Sequence, residues 1–408
     1  MKPLIAIFVG AVASHTLAAL PEDILRTAWK DNRIELHDRA VNAAVDAHSY
    51  NFLDKADFRY DLGEFDQDDV QYSMRFYPKG WTELRTTVEF QEVLEKNEKT
   101  SQAAALSELL AARYDVLARI ALLKEKKQIA DELQKVSRKS NRILSLGAQK
   151  NRADLKSYLK NKSDLDKFDI KITDVERDYQ NLQAELKELS LGDVESFDLN
   201  DFASMDVLKE RIEKEADEKP ATTLSSRLAQ LDLEKSRAGM AYEKAKDTKW
   251  FDHLEISVKD DRKEDQHVYG LELAFNLPFL SAPNLSRIDK EMRDLRDNAK
   301  MLSTVEASDR NFKNGLMELK TLLQVHKSLS QTKAYMNIDQ MRKASRTIAP
   351  RDPQLAIELQ RGWFENREQM LDLEFRIRSL YILYLHEASI IANSPDKNYL
   401  SKTHKRIL

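Results

Sequence analysis

Cysteine is absent from the 408 residues, and glycine and proline occur only nine times each. Without cysteine there is no disulfide, no Cys-ligated zinc, no thiol nucleophile and no lipid-bearing cysteine behind a signal peptide. So little glycine excludes a Gly-rich phosphate cradle, and so few loop-forming residues in a chain of this length require long helices. An excess of charge of one sign is also missing. Sixty-five Lys and Arg against 69 Asp and Glu give a net charge of -4, which argues against nucleic acid as a partner. Beyond the first 18 residues no uninterrupted apolar run is long enough for a spanning helix, so any later membrane segment has to be a strand.

The amino terminus carries targeting information. Lys2 precedes the apolar run from Leu4 to Ala13, and Thr16-Leu17-Ala18 offers small residues to a signal peptidase, so residues 1–18 read as a secretory signal. The mature histidines 37, 48, 253, 267, 326, 386 and 404 contain no pair at i, i+4 and no His-Glu-x-x-His. No nucleophile, acid–base pair or metal set emerges. The chain reads as no enzyme, with no catalytic residue, metal or cofactor.

Proline positions expose a duplication. Pro78 and Pro278, 200 residues apart, each close a short alternating segment and open a long heptad segment, with Pro-free runs over 79–219 and 284–349. Each half reads helix, hairpin, long helix, returning helix. The first unit covers 19–192 (hairpin about 56–78, helical hairpin about 82–190) and the second 193–395 (hairpin about 253–278, helical hairpin about 284–393). Residues 396–408 form a tail. A period this long is a tandem duplication of one large unit rather than a solenoid.

Heptads are unbroken at Phe168, Ile172, Val175, Tyr179, Leu182, Leu186 and Leu189, again at Leu285, Ile288, Met292, Leu295, Ala299 and Leu302, continuing through Phe312 to Leu323, and again from Met370 to Tyr384. Each stripe needs a partner helix. Residues 82–146 lack both Pro and Gly, and Gly147 marks the expected turn into an antiparallel helix. The second hairpin is expected to turn around Pro350 and Pro353.

Four segments alternate with period two: Phe58, Tyr60, Leu62; Val70, Tyr72, Met74, Phe76; Leu254, Ile256, Val258; and Tyr269, Leu271, Leu273, Phe275, Leu277. Polar residues fill most alternate positions. Two isolated hairpins are marginal in water, so they are expected to pair with the same hairpins of other subunits. A ring of such strands crosses an outer membrane. The pattern also fits a small soluble sheet capping the helices, and each strand shows only three to five apolar rungs. Phe76, Tyr77, Trp81, Trp250, Phe251 and Phe275 gather where strand meets helix, as in a membrane-interface girdle or a helix–sheet packing layer.

The ordered set Leu144-Ser145-Leu146-Gly147, Ala153-Asp154-Leu155, Leu186 to Gly192, Leu228-Ala229-Gln230-Leu231 through Tyr242 to Trp250, Leu254 to Val258, and Tyr269-Gly270-Leu271-Glu272-Leu273 to Leu277-Pro278-Phe279 resembles the TolC-like outer-membrane efflux proteins. The resemblance spans essentially the whole mature chain. It implies a mainly α fold with a small β part: a homotrimer with four strands per chain closing a 12-strand β-barrel, continued by a trimeric α-helical barrel across the periplasm. It implies an exit duct in the outer membrane, passing substrates received from a periplasmic adaptor and an inner-membrane pump. Outer-membrane lipid is the other partner implied. By position, the adaptor-docking tips are Leu146, Gly147 and Ala148, with Ile348, Ala349 and Pro350. A periplasmic gate would draw on Arg152, Asp154, Asp339, Arg342, Arg346 and Asp352, and Pro78 and Pro278 would be the strand–helix junctions. The alternative is a periplasmic coiled-coil scaffold or adaptor whose short hairpins do not span the membrane.

Overall fold

A computed structural model describes residues 20–46, 52–62, 69–150, 155–217, 222–247, 249–261, 266–276, 285–331, 338–348 and 353–408. The signal segment, Arg152, Asp154, Pro278, Ala349, Pro350 and Asp352 lie outside them. Ten helices are described: α1 (Pro21–Arg26), α2 (Asn32–Asp46), α3 (Trp81–Lys150), α4 (Leu155–Glu188), α5 (Met205–Asp217), α6 (Leu224–Asp247), α7 (Leu285–Ser330), α8 (Ile338–Ile348), α9 (Pro353–Glu387) and α10 (Ile390–Asn393). Four strands complete the chain: β1 (Leu53–Leu62), β2 (Asp69–Pro78), β3 (Phe251–Asp261) and β4 (Gln266–Phe275).

Helix α3 has 70 residues, about 105 Å at 1.5 Å per residue. It starts where Gly80 donates its backbone N–H to the Glu83 carboxylate at 3.2 Å, the back-reaching half of a capping box. Contrary to the expected turn, α3 runs straight through Gly147 to Lys150. A single Gly costs a helix about 1 kcal/mol, too little to end one already 66 residues long. Pro353 opens α9 at its first position, where a missing N–H costs nothing. Helix α4 closes with Ser190 in the left-handed region, φ 57°, while Leu191 N–H bonds to Leu186 O at 2.9 Å.

The main core forms where α3, α4, α5, α7 and α9 meet α1 and the carboxy-terminal segment. Tyr114, Leu117, Leu182, Leu186, Leu208, Leu319, Ile377, Tyr381 and Ile407 are among its buried members. A second cluster joins α3, α4, α8 and α9 through Ile129, Phe168, Met341, Trp363 and Phe364. The heptads of α4 and α9 are the inner faces of these clusters, as their spacing requires. The 396–408 tail is packed rather than loose. Tyr399, Leu400, Ser401 and Ile407 are buried, and Arg211 donates from Nη1 to the carbonyls of Tyr399 and Ser401 at 3.0 and 2.9 Å.

Burial makes the core pH-sensitive. His386, whose Nδ1 lies 2.8 Å from Ser107 Oγ, is pushed below its ordinary value by burial, against a smaller pull from Glu387 and Glu108. Burial lowers His404 too, helped by Arg211 and Lys397. A histidine held neutral in the fold binds more protons when unfolded. Its stabilisation is therefore complete above the unfolded value near 6.5 and is lost as pH falls below it. Stability should decline between pH 7 and pH 5 by at most about 1.4 kcal/mol per pH unit for each histidine. His386→Asn should flatten that slope in thermal unfolding, and an unchanged slope would clear His386 of any part in it.

Candidate functional site

The four strands form one antiparallel sheet in the order β1-β2-β3-β4. The two hairpins therefore pair with each other through β2 and β3, where the sequence suggested pairing only with other subunits. The sequence pattern could not give this, because the two strands are almost 180 residues apart. Their lengths are 10, 10, 11 and 10 residues, which meets the 9 to 11 of a membrane-spanning strand. Counting apolar rungs alone underestimated them, because polar residues continue each strand at its outer end.

Register sorts the side chains by face. Phe58, Met74, Ile256 and Leu271 lie in one row, and Tyr60, Tyr72, Val258 and Tyr269 in the next. Asp57, Arg75, Glu255 and Glu272 share a row on the opposite face, as do Arg59, Ser73, Ser257 and Gly270. The apolar face is the exposed one: Phe58 and Leu271 are each 69% accessible, and Tyr60, Tyr72, Met74, Ile256, Tyr269 and Leu273 are also exposed. Ser73, His253 and Glu255, on the polar face, are buried. There Arg75 Nε pairs with Glu255 Oε2, and Lys55 Nζ lies 2.9 Å from Asp57 Oδ2. A sheet of a water-soluble protein has the reverse arrangement. At Gly270 an added Cβ would meet Ser257 Oγ, so a side chain there requires that hydroxyl to turn away.

The boundary aromatics divide by exposure. Trp81, Trp250 and Phe275 are exposed, at 85%, 65% and 64%, whereas Phe76, Tyr77 and Phe251 are half-buried. Phe251 meets Phe275 edge-on at 5.4 Å, and Lys55 Nζ sits 4.3 Å above the Tyr77 ring. Pro78 ends β2, two residues before the Gly80 cap.

At the far end, Leu146, Gly147 and Ala148 belong to the last turns of α3, and Ile348 ends α8. Asp339 lies in the first turn of α8. Arg342 reaches α3, with Nη2 3.3 Å from Glu132 Oε1. Glu132 is held below the usual carboxylate range by its hydrogen bond from Lys135, with Arg342 adding to it. Arg346 is exposed. A groove of about 700 Å³ between α6, α7 and α9 is lined by hydroxyls, Phe312, Leu316 and Leu383, with Glu387 as its one carboxylate.

No protein-family model matches the sequence. No curated protein matches it either. Solved structures do match. The outer membrane protein VceC of Vibrio cholerae superposes with a TM-score of 0.65 at 12% identity, over 90% of this chain and 95% of its own. The CmeC outer membrane channel of Campylobacter jejuni gives 0.65 at 11% identity, over 90% and 85%. The MtrE outer membrane channel of Neisseria gonorrhoeae gives 0.62 at 13% identity, over 90% and 88%. The chain has the TolC-like fold. In this TolC-like fold the described helices include none long and apolar enough to cross a membrane.

The sequence anticipated the strands and their alternation, and left open whether the apolar or the polar face is the exposed one. It did not anticipate the α7 surface. Heptad residues Met292, Leu295 and Leu302 are exposed, while the polar side of the same stretch meets α6. Arg237 Nε lies 3.0 Å from Asp294 Oδ1, Ser236 Oγ donates to Asp297 at 2.6 Å, and Lys290 Nζ lies 3.1 Å from Asp247 Oδ2.

Proposed function

We propose that three copies of this chain form an outer-membrane exit duct, each contributing four strands to a 12-strand barrel and its long helices to a periplasmic tunnel. The observation that carries this reading is the inverted sheet: an apolar face of largely exposed side chains, and a polar face whose central residues Ser73, His253 and Glu255 are buried, on strands of spanning length. Lipid would cover the first, and a water-filled lumen the second. The exposed Trp81, Trp250 and Phe275 would sit in the inner interface. The VceC, CmeC and MtrE structures are of outer-membrane proteins, which supports the same location, with most of the chain in the periplasm.

In this reading the chain transports and does not catalyse. Leu146, Gly147 and Ala148 in the last turns of α3, and Ile348 at the end of α8 with Ala349 and Pro350, would dock on a periplasmic adaptor coupled to an inner-membrane pump. Arg152, Asp154, Asp339, Arg342, Arg346 and Asp352 would narrow that end. Neutralising Arg346 and Asp352 together should raise conductance in planar bilayers and drug sensitivity in cells; unchanged values of both would remove these residues from the gate.

The deciding experiment is fractionation with native mass measurement. Sarkosyl-insoluble protein of three chains that conducts ions in planar bilayers is the expected result. A soluble periplasmic monomer would overturn the proposal.

A further inference from the structure

Charge is distributed unevenly along the molecule. The second hydrophobic cluster, with Leu133 on α3, Phe168 on α4, Met341 on α8 and Trp363 on α9, separates the end farthest from the sheet from the rest of the helical body. Between Leu133 and Phe168, and between Met341 and Trp363, the sequence holds fifteen Lys and Arg against five Asp and Glu. The whole chain has a net charge of -4, so a strongly cationic end is set in an otherwise acidic protein.

Little of this excess is neutralised within the chain. Lys135, Arg138, Lys139 and Arg142 fall at i, i+3, i+4 and i+7 of α3 and therefore share one face. Lys135 pairs with Glu132, which Arg342 also reaches at 3.3 Å. Arg138, Lys139, Lys162, Lys343 and Arg346 are exposed, and among the described residues none of them makes an ion pair. Like charges three and four residues apart repel on a helix, so the stripe opposes the helix that carries it. Helices α8 and α9 run antiparallel, with Met341 beside Phe364 and Ser345 bonded to Gln360. Arg138 and Arg346 each lie five residues beyond a cluster residue, Leu133 and Met341, about 7.5 Å along the helix axis, and Lys162 lies about 9 Å from Phe168 on the returning α4. The unpaired cations thus occupy one level of the bundle.

We propose that this cationic level makes the entrance of the duct a filter for anions, so that the solutes it passes carry net negative charge. It rests on the exit-duct reading, in which three copies ring the tunnel with these side chains. Rings of Arg and Lys are the means by which pores favour anions. A helix is about 10–12 Å across with its side chains, close to the Debye length of about 10 Å at 0.1 M salt. A cation on either surface of a wall one helix thick therefore raises the potential inside it. At the sheet the sign changes, because its polar face has six acids against four cations. An anion drawn in at the entrance is then not held at the exit, as conduction requires.

Planar-bilayer recording across a KCl gradient tests it. The expected result is a reversal potential of the chloride sign in dilute KCl that shrinks as salt is raised, because screening shortens the reach of fixed charge. Arg138→Glu, Lys139→Glu and Lys343→Glu combined turn three exposed cations of each chain into acids, and should move the reversal potential toward the potassium sign. A potassium preference in the unmodified protein, or an unchanged reversal potential in the triple variant, would overturn the filter. The salt series needs no variant, so it decides the matter even where the triple reversal does not assemble: a chloride preference that persists undiminished in concentrated KCl would overturn the role of these charges. An unmodified protein that conducts nothing would overturn the exit-duct reading, and the filter with it.

Discussion

Leu271→Arg is expected to abolish recovery of the chain from the outer membrane. Leu271 lies mid-strand in β4, opposite Ile256 on β3, on the face where Phe58, Met74 and Leu273 are also exposed. In a bilayer that position falls near the midplane, where an arginine on the lipid face of a barrel costs about 2–4 kcal/mol. Three copies raise the sum to roughly 6–12 kcal/mol, comparable to the whole stability of many domains. The control is Gln71→Arg, on the polar face of β2 in the row of Asp61 and Lys259. There the new cation would meet water and charged neighbours, and recovery should stay near the unmodified level. The readout is the fraction of each variant found in the sarkosyl-insoluble membrane pellet. Equal recovery of both variants would mean that the apolar face does not meet lipid, and the inverted sheet would need another explanation.

Local patterns were legible in the sequence because they are set by short-range physics. The heptads of α4 and α9 are buried where the spacing placed them, since a helix presents the same face every three to four residues whatever it packs against. Alternation identified all four strands for the corresponding reason. What sequence could not supply was the partner of each face. The α7 stripe from Met292 to Leu302 looks no different from that of α4, yet Leu182 is buried and Leu295 is exposed. The difference lies in α6, whose Arg237, Ser236 and Asp247 engage the polar side of α7 and turn the apolar side outward. The strand register was ambiguous for a related reason. Positions 70–76 and 271–277 differ in parity relative to Pro78 and Pro278, and one bulge in one half would reconcile them. The structure instead has one irregularity in each half, between Leu53 and Lys55 in β1 and between Phe251 and His253 in β3. Neither lies in the strand that leads to a proline, so both halves keep their apolar residues on one face without altering the parity. The outer-end residues Asp69 and Asp261, which pair across β2 and β3, carried no apolar signal and made the strands look too short.

Tyr114→Ala is expected to release the carboxy-terminal segment and to cause the largest loss of stability of any single substitution considered. Tyr114 is fully buried near the middle of α3. Its hydroxyl donates to the Lys397 carbonyl at 2.7 Å and accepts from the Tyr399 N–H at 3.0 Å. Burial pushes this phenol well above its ordinary value, so it stays a neutral donor throughout the accessible pH range. Truncating a buried aromatic to alanine costs about 3–5 kcal/mol in lost burial and cavity formation. Two backbone groups are stranded as well, each worth about 1–3 kcal/mol when left unsatisfied. Tyr114→Phe isolates that polar share, because it keeps the ring and removes only the hydroxyl. The same segment is held from α5 by Arg211 and joined to α1, where Asn398 Nδ2 donates to Glu22 Oε1 at 2.9 Å. Losing Tyr114 therefore loosens α1 and α5 together with residues 394–408. Thermal unfolding should rank the proteins as unmodified, Tyr114→Phe, then Tyr114→Ala. Limited trypsin digestion should cut at Lys402, Lys405 or Arg406 first in the alanine variant. If that variant keeps those sites protected, the carboxy-terminal segment is anchored by Arg211 and Asn398 rather than by α3.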